Sequence, residues 1–279
     1  LRTEAGVEQI LVKNGKVAGV ALENGDEING NLVVSAMDVK RTFLDCMDRH
    51  DLPDAFHQRV QNFKIRGSSG KLNIALDGLP SFPALPEGSS LMHSDMHFID
   101  SMERMERAYD DWKDGTWSQD PYIDMVIPTL NDPTMAPPGK HFMSCFVQYC
   151  PHKIKGRDWT PEEKQAFGET VVNQIANYSP DFKDLILHVE IRTPQDIEAE
   201  IGITEGNIFH GELTMDQLLF NRPIPGYAQY RGPVAGLYMC GSSTHPGGGV
   251  MAAPGANAAR EILADLKRPN TVPENFGDD

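Results

Sequence analysis

The sequence predicts an α+β fold, in which a small strand meander and pieces of an α/β layer accompany a larger, mixed sheet backed by helices. Three observations support this class. Two Asn-Gly turn signals divide residues 7–36 into short strands. Apolar, strand-like runs and capped helical segments share residues 37–230. A short apolar run at residues 237–240 then leads through a glycine loop into an alanine-rich helix.

Composition and charge exclude several classes of partner. The 279 residues are 40% hydrophobic and carry a formal net charge of −15. Nucleic acids and anionic membranes require basic surfaces, so neither is expected as a partner. No apolar run approaches the roughly 20 residues of a membrane helix, and the four cysteines lack CxxC spacing. We therefore expect a soluble, cytoplasmic protein with reduced thiols that acts on a small molecule, in an oligomeric state left open.

The opening segment predicts three antiparallel strands. The runs VEQILV and KVAGVAL are separated by Asn14-Gly15, and a second turn signal follows at Asn24-Gly25. Asn-Gly suits the two positive-φ positions of a type I′ turn. The third strand runs through INGNLVVSA, whose continuous LVV predicts burial on both faces, as in a parallel sheet. The opening residues cannot supply that sheet and the chain starts with leucine, so we expect sequence to be missing upstream.

The middle of the chain predicts a sheet with helices packed on it. Strand-like runs occur at KLNIALDG, YIDMVIP, HFMSCFVQY and ILHVEIR. A capping box at Thr160-Pro161-Glu162-Glu163 predicts a helix that buries Phe167, Val171 and Ile175. Thr193-Pro194 begins another short helix. A helix around 101–112 places Met102, Met105 and Trp112 on one side.

These elements predict a division into domains. Residues 1–40 and 231–266 are expected to form one partial domain, and residues 41–230 a second one. Residues 267–279 are predicted to be a disordered tail.

The segment most informative about function is GLYMCGSSTHPGGGVMAAPGANAAREILADL, residues 236–266. A buried strand ends at Cys240, and three consecutive glycines, Gly247 to Gly249, lead to a helix predicted to begin at Val250. Pro254 is tolerated there because the first helical turn has N–H groups without partners. The helix is predicted to bury one face and expose the other: Ala258, Ile262 and Leu266 inward, and Arg260, Glu261 and Asp265 outward.

A strand, glycine loop and helix N-terminus together favour an anion or a polarised oxygen. Free backbone N–H groups and the positive end of the helix dipole point into one space. No lysine or arginine lies between Gly232 and Ala259, so the backbone itself would have to hold the ligand. The alternative is a flexible glycine loop before a helix whose small side chains serve only packing.

The segment GSSTHPGGGV with its alanine-rich helix resembles the C-terminal flavin-binding motif of the phytoene desaturase and amine oxidase superfamily. The longer stretch from IFHGELTMDQLLF to this motif resembles its subfamily called pyridine nucleotide-disulfide oxidoreductase domain-containing protein 2, a phytoene-dehydrogenase-like group. The opening VEQILVKNGKVAGVALENGDEINGNLVVSA resembles the superfamily's three-stranded insert and return strand. The resemblance spans nearly the whole chain.

The resemblance implies FAD as the cofactor, with residues 1–40 and 231–266 as a partial FAD-binding domain and residues 41–230 as the substrate domain. The residues that would line the flavin are Gly241, Ser242, Pro246, Gly247, Gly248, Gly249 and Val250. Val7 matches the position whose backbone contacts the adenine, and Ser35 and Ala36 end the strand beneath the cofactor. The implied function is dehydrogenase- or desaturase-like hydride transfer from an apolar or amine-bearing small molecule to the flavin. The alternative is a non-catalytic binding or scaffolding subunit with the same fold.

Two departures from the superfamily pattern bear on cofactor binding. Gly241-Ser242 replaces the Gly-Asp pair of many flavoproteins, as in the desaturase branch. The N-terminal GxGxxG and its acidic ribose ligand are absent, so the pyrophosphate lacks its main anchor. We therefore expect a C-terminal portion of an oxidoreductase that by itself binds FAD poorly or not at all and is inactive.

Histidines are the remaining candidates for chemistry. His93 and His97 lie four residues apart beside Asp95 and Asp100, but without a convincing third ligand, and no metal site is predicted. His245 inside the loop is a weak catalytic candidate, and His210 is a weaker one. A structural hydrogen-bonding role is the more common use of such histidines.

Overall fold

The structure, a computed structural model, describes residues 1–86 and 88–267. The predicted disordered tail, apart from its first residue, lies outside these residues. The chain divides into two compact units. The terminal unit comprises residues 1–65 together with the described residues from 207 onward, and the central unit comprises residues 66–206.

The described elements alternate between strands and helices along the chain. The strands are β1 Val7–Lys13, β2 Lys16–Leu22, β3 Glu27–Asn29, β4 Val33–Ser35, β5 Ser69–Leu76, β6 Met96–Phe98, β7 Tyr122–Val126, β8 His141–Gln148, β9 Ile186–Arg192 and β10 Leu237–Met239. The α-helices are α1 Asp54–Asn62, α2 Met102–Lys113, α3 Pro161–Ala176, α4 Pro194–Ile201 and α5 Ala253–Leu266.

The predicted meander is present in the terminal unit as the antiparallel sheet β1-β2-β3. Asn14 (φ 54°) and Gly15 (φ 72°) both have positive φ, which confirms the first turn. At the second turn only Gly25 has positive φ (86°). The Asn24 side chain instead accepts a hydrogen bond from the Asp26 amide, at 3.0 Å, and so stabilises a different turn.

The predicted third strand is two strands in the structure. β3 pairs with β2, whereas β4 leaves the meander and pairs in parallel with β10. The parallel pairing confirms that this segment enters another sheet. The predicted burial on both faces is wrong for Val34, which is 42% exposed, because the described residues leave its side of the sheet uncovered.

The central unit is built on a five-stranded sheet of order β6-β7-β8-β5-β9. Alternate side chains of its strands, among them Leu72, Ile74 and Cys145, form a buried core with Phe167 and Val171 of α3. All four strands predicted in this region are present, and the α+β class is confirmed. A mixed sheet was expected, but every pairing in this sheet is antiparallel. The connection through α3 leads from β8 to β9, which lies on the far side of β5, so β9 runs antiparallel to its only neighbour among the described strands, β5.

The predicted capping box is present, and the helix predicted to begin at Thr193-Pro194 has a second one. The Thr160 hydroxyl accepts from the Glu163 amide at 3.2 Å, and the Glu163 carboxylate accepts from the Thr160 amide at 3.0 Å. Thr193 and Asp196 repeat this arrangement at the start of α4. These reciprocal bonds satisfy amides that the first turn of a helix leaves free.

Helix α2 buries less than its pattern predicted. Trp112 is buried, and its indole N–H donates to the carbonyl of Gly67 at 2.8 Å. Met102 is 89% exposed and Met105 38% exposed, so only the C-terminal end of this side is covered. None of the described helices is both long and apolar enough to cross a membrane.

The borders of the compact units differ from the predicted domain borders. They fall after residues 65 and 206, where the sequence predicted borders after 40 and 230. Residues 41–65 belong to the terminal unit because Phe43, Phe56 and Val60 lie in its core with Ile10 and Leu237. The cofactor and substrate roles given to the predicted domains stay predictions.

Replacing Thr160 with alanine tests the capping box. We expect Thr160→Ala to lower the free energy of unfolding by about 1 kcal/mol, because the Glu163 amide loses its acceptor. Urea unfolding monitored by circular dichroism measures the change. Thr160→Ser is the matched control and should stay close to wild type. Equal losses in both variants would contradict a capping role for the hydroxyl.

Candidate functional site

The parallel pairing of β4 with β10 brings three of the predicted cofactor residues together. Met239 lies opposite Ser35, and the Cys240 amide donates to the Ser35 carbonyl at 2.9 Å. The next residue, Gly241, lies against the chain that leaves β4. A Cβ atom at Gly241 would lie 2.4 Å from the Ala36 carbonyl oxygen. Only glycine fits this close approach.

Ser35 turns the chain at the end of β4. Its side chain is buried, shares a hydrogen bond of 2.7 Å with the Thr42 hydroxyl and accepts from the Met37 amide at 3.3 Å. Ala36, by contrast, is exposed. The Ser35 hydroxyl is thus used within the protein, and Ala36 is the residue of this pair that faces outward.

The glycine loop, residues 241–252, is folded by tight local turns. The Gly247 amide donates to the Thr244 carbonyl at 2.7 Å, and the Met251 amide donates to the Gly249 carbonyl at 3.0 Å. Gly247 (φ 106°) and Gly249 (φ 125°) occupy backbone conformations that other residues rarely adopt. The loop is a defined structure, and its glycines are required by the path of the chain.

The loop leaves backbone donors free. Among the described residues, no hydrogen-bond partner is found for the amides of Gly248, Gly249 and Val250. Helix α5 begins at Ala253 without a side-chain cap from Ala252. It begins later than the predicted Val250, because Gly249 and Ala252 (φ 53°) are not helical. Uncapped amides and the helix dipole together suit a negative or polarised group.

The chain next to these donors is exposed at the start of α5. Val250 is fully exposed, and Met251 is 51% exposed. A Cβ atom at Gly255, in the first turn of α5, would meet nothing within 4 Å. The start of the helix is therefore accessible.

Arg222 anchors the glycine loop through hydrogen bonds to a backbone carbonyl. Its side chain is fully buried (0% exposed), and burial lowers its pKa to about 10. The Arg222 Nε and Nη2 groups donate to the Ser242 carbonyl at 2.9 and 2.8 Å. Further hydrogen bonds reach the carbonyls of Phe209, Gly211, Glu212 and Gln217. One cation thus joins the glycine loop to residues 209–217.

Arg222 was not among the residues predicted from the sequence. It lies 20 residues before Ser242 in the chain, outside the cation-free stretch between Gly232 and Ala259. The one available signal was an arginine between apolar residues and prolines, in LLFNRPIP. Such a context indicates burial but not what the guanidinium contacts.

Ser243 and Tyr230 hold the loop in place through further hydrogen bonds. The Ser243 hydroxyl donates to the His210 carbonyl at 2.7 Å and accepts from the Val39 amide at 3.0 Å. The Tyr230 hydroxyl donates to the His245 carbonyl and accepts from Asn257 of α5, both at 2.8 Å. These bonds connect the loop to the segment after β4 and to its own helix.

His210 and His245 take part through their backbone carbonyls. The Nδ1 atom of each ring is buried, and within the described part of the chain it has no hydrogen-bond partner. Burial lowers the pKa of His210. No contact in the structure gives either ring a catalytic role, and His245 stays a weak candidate.

The remaining predicted residues lie elsewhere. Val7 is at the start of β1, and its carbonyl accepts from the Cys46 thiol at 3.8 Å. A concavity of about 440 Å³ lies next to it, lined by residues 4–6 and 22–24. His93 lies in a 3-10 turn and His97 in β6, so they do not share a helical face. The described residues contain no cluster of metal-binding side chains.

The predicted faces of α5 are wrong for the acidic residues. Glu261 and Asp265 were expected to face outward, but Arg231 pairs with them at 2.6 and 2.7 Å. The Tyr238 hydroxyl of β10 also donates to Asp265 at 2.8 Å; burial and this carboxylate raise the pKa of Tyr238 to about 12. Leu266, predicted inward, is 65% exposed. Ala258 is buried, as predicted, so α5 is held by apolar packing at this residue and by the bonds of its acidic residues to Arg231 and Tyr238.

Comparison with curated proteins identifies homologues over nearly the whole chain. It is 39% identical over 274 residues to pyridine nucleotide-disulfide oxidoreductase domain-containing protein 2 of Mus musculus, a match that covers 95% of this chain and 47% of that protein. It is 27% identical to 4,4'-diapolycopene oxygenase of Methylomonas sp, over 96% of this chain and 51% of the relative. The chain thus spans about half the length of these relatives. No protein-family model matches it.

Solved structures with the same fold include amine oxidases. A double mutant of putrescine oxidase matches 95% of this chain and 48% of its own, with 13% identity and a TM-score of 0.52. Cyclohexylamine oxidase from Brevibacterium oxydans matches 90% and 47%, with 14% identity and a TM-score of 0.52. At such identity the likeness shows the fold alone. With the homologues, it confirms the resemblance found in the sequence.

Replacing Arg222 tests its hold on the loop. We expect Arg222→Met to lower the free energy of unfolding by about 3 kcal/mol or more, because several buried carbonyls lose their donor. Urea unfolding measures the loss, and amide hydrogen exchange shows whether residues 241–252 open first. Arg222→Lys should not rescue stability, since an ammonium lacks the planar set of donors.

Arg59 provides the control for the Arg222 substitution. It is exposed and donates to a single carbonyl, that of Pro225, at 3.3 Å. Arg59→Met should change stability by less than about 0.5 kcal/mol. Comparable losses in the two variants would contradict the role assigned to Arg222.

Proposed function

We propose that this chain, a homologue of FAD-dependent oxidoreductases, is the C-terminal portion of such an enzyme and supplies one side of its flavin site. The observation that carries the proposal is the array of free backbone amides at Gly248, Gly249 and Val250, next to the uncapped start of α5. Such an array binds negative or polarised groups without any cationic side chain.

The residues present fit this cofactor. Gly241, Ser242 and the residues from Pro246 to Val250 would lie along the flavin, with Ser35 and Ala36 beneath it and the Val7 backbone at the adenine. The open space at Gly255 and the exposure of Val250 leave room for a planar ring. Arg222 points its donors at carbonyls on the inner side of the loop, so it positions the site and does not bind the ligand.

The chemistry divides between cofactor and protein. Bound FAD would accept a hydride from the substrate. The loop amides would stabilise negative charge on the part of the ligand that they face, in an orientation fixed before binding. Ser243 and Tyr230 hold those amides in place through the His210 and His245 carbonyls.

The proposed substrate is an apolar or amine-bearing small molecule. A homologue acts, by its name, on 4,4'-diapolycopene, and the structural neighbours are oxidases of putrescine and cyclohexylamine. The chain matches about half the length of its homologue, and the proposal includes further sequence in the complete site.

A pair of substitutions in α5 tests the flavin site. In the polypeptide expressed from the complete reading frame, we expect Gly255→Leu to reduce bound flavin at least tenfold, because the new side chain fills the space in front of the loop. Nothing within 4 Å opposes a Cβ atom there, so folding should be retained. Flavin absorbance per protein, with circular dichroism as the folding check, gives the result.

The matched control is Ala259→Leu, at an exposed position of the same helix, which should keep its flavin. Gly248→Val is less suitable, because a Cβ atom there would lie 2.8 Å from the Phe209 ring. Flavin content unaffected by Gly255→Leu would refute the proposed site. A colourless wild-type protein would favour a non-catalytic binding or scaffolding subunit.

A further inference from the structure

The central sheet has a polar face opposite α3. Along β5, β7 and β8, buried apolar residues alternate with partly exposed ones. Lys71 and Asn73 of β5, Asp124 of β7, and Ser144 and Phe146 of β8 all belong to the partly exposed set. Because side chains alternate between the two faces of a sheet, these residues share the face that α3 does not cover.

Three of them form one row across the sheet. Phe146 lies directly opposite Lys71 on one side and opposite Asp124 on the other. Neighbouring strands lie about 4.8 Å apart, so a cation and an anion flank one aromatic ring, with their Cα atoms about 10 Å apart. The Lys71 ammonium donates to the Ser144 hydroxyl at 2.5 Å, so its side chain reaches across to β8 on the face that carries Phe146.

Lys71 is the cation of this row. No carboxylate among the described residues pairs with it, in a chain whose net charge is −15. Its neighbour across the other strand pair is Arg192, which is itself paired with Glu190 and Glu200 at 2.8 and 2.9 Å. Burial, with Arg192 adding to it, lowers the pKa of Lys71. An anionic ligand beside the Lys71 ammonium would stabilise its charge and so oppose the effects of burial and of Arg192 on this pKa.

Asp124 is the matching anion. It is half-buried, and the described residues supply neither an ion pair nor a side-chain hydrogen bond to it. Burial, and then the Asp124 charge, raise the pKa of the neighbouring Tyr122. On the next row, the Asn73 carboxamide oxygen is buried, and in the described chain it has no partner either. A buried polar atom such as this oxygen usually has a hydrogen-bond partner, and a ligand at this face could supply one.

We propose that Lys71, Phe146 and Asp124 form a binding site for a free amino acid with an apolar side chain. The carboxylate of the ligand pairs with Lys71, its ammonium pairs with Asp124, and its apolar part packs on the Phe146 ring. The site names a substrate class for the oxidoreductase and in that respect rests on the proposed function. Binding at this face is a property of the central unit and requires no flavin.

The test compares three related probes on this chain: L-phenylalanine, 3-phenylpropanoate, which lacks the amine, and phenethylamine, which lacks the carboxylate. We expect L-phenylalanine to bind most tightly, in a titration followed by calorimetry and by amide chemical shifts of β5, β7 and β8. Lys71→Met should weaken L-phenylalanine and 3-phenylpropanoate at least tenfold and leave phenethylamine unchanged. Asp124→Asn should weaken L-phenylalanine and phenethylamine and spare 3-phenylpropanoate.

Lys140 supplies the control. It is an exposed lysine already paired with Asp77, so Lys140→Met should leave all three affinities unchanged. Lys71→Arg keeps the charge and should retain binding of 3-phenylpropanoate, which separates loss of charge from loss of folding. The proposal is overturned if no probe saturates the sheet face, if phenethylamine binds as tightly as L-phenylalanine, or if Lys71→Met leaves L-phenylalanine binding intact. A flavin that fails to bind the complete protein would refute the proposed function and not this site.

Discussion

The geometry of the glycine loop depends on one buried guanidinium. Arg222 satisfies the Ser242 carbonyl and the carbonyls of residues 209–217, and no single neutral side chain could bond to so many acceptors at once. A buried charge is costly unless it is hydrogen-bonded, so these segments have to keep positions that supply its acceptors. The Ser242 carbonyl is bound on the side of Arg222, while the amides of Gly248, Gly249 and Val250 have no partner among the described residues.

The loop also shows why a binding site can be made almost wholly of backbone. Gly241 passes within contact distance of the Ala36 carbonyl, and Gly247 and Gly249 adopt positive φ, so side chains are excluded by the path of the chain. The same constraint leaves the start of α5 open. Contacts along α5 then fix its direction: Arg231 binds Glu261 and Asp265, and Tyr230 binds Asn257.

The two units support different parts of the proposed chemistry. The terminal unit presents the backbone dipoles of the loop. The polar sheet face of the central unit presents Lys71 and Asp124 on either side of Phe146, and neither has an ion-pair partner among the described residues. The chain spans about half the length of the curated relatives that it matches. A cofactor bound by backbone and a substrate bound by charged side chains would allow the substrate to differ among relatives while the cofactor loop stays the same.

The sequence by itself determined the local elements, because capping at Thr160, the Asn14-Gly15 turn and strand alternation depend on neighbours in the chain. It also identified the glycine loop and the resemblance to the phytoene desaturase and amine oxidase superfamily. Tertiary structure decided what long-range contacts control: the splitting of the third strand, the inward face of Asp265, and the burial of Arg222 against carbonyls far away in sequence. A residue's type and spacing specify which bonds it can make, but only the folded chain brings the partners within reach.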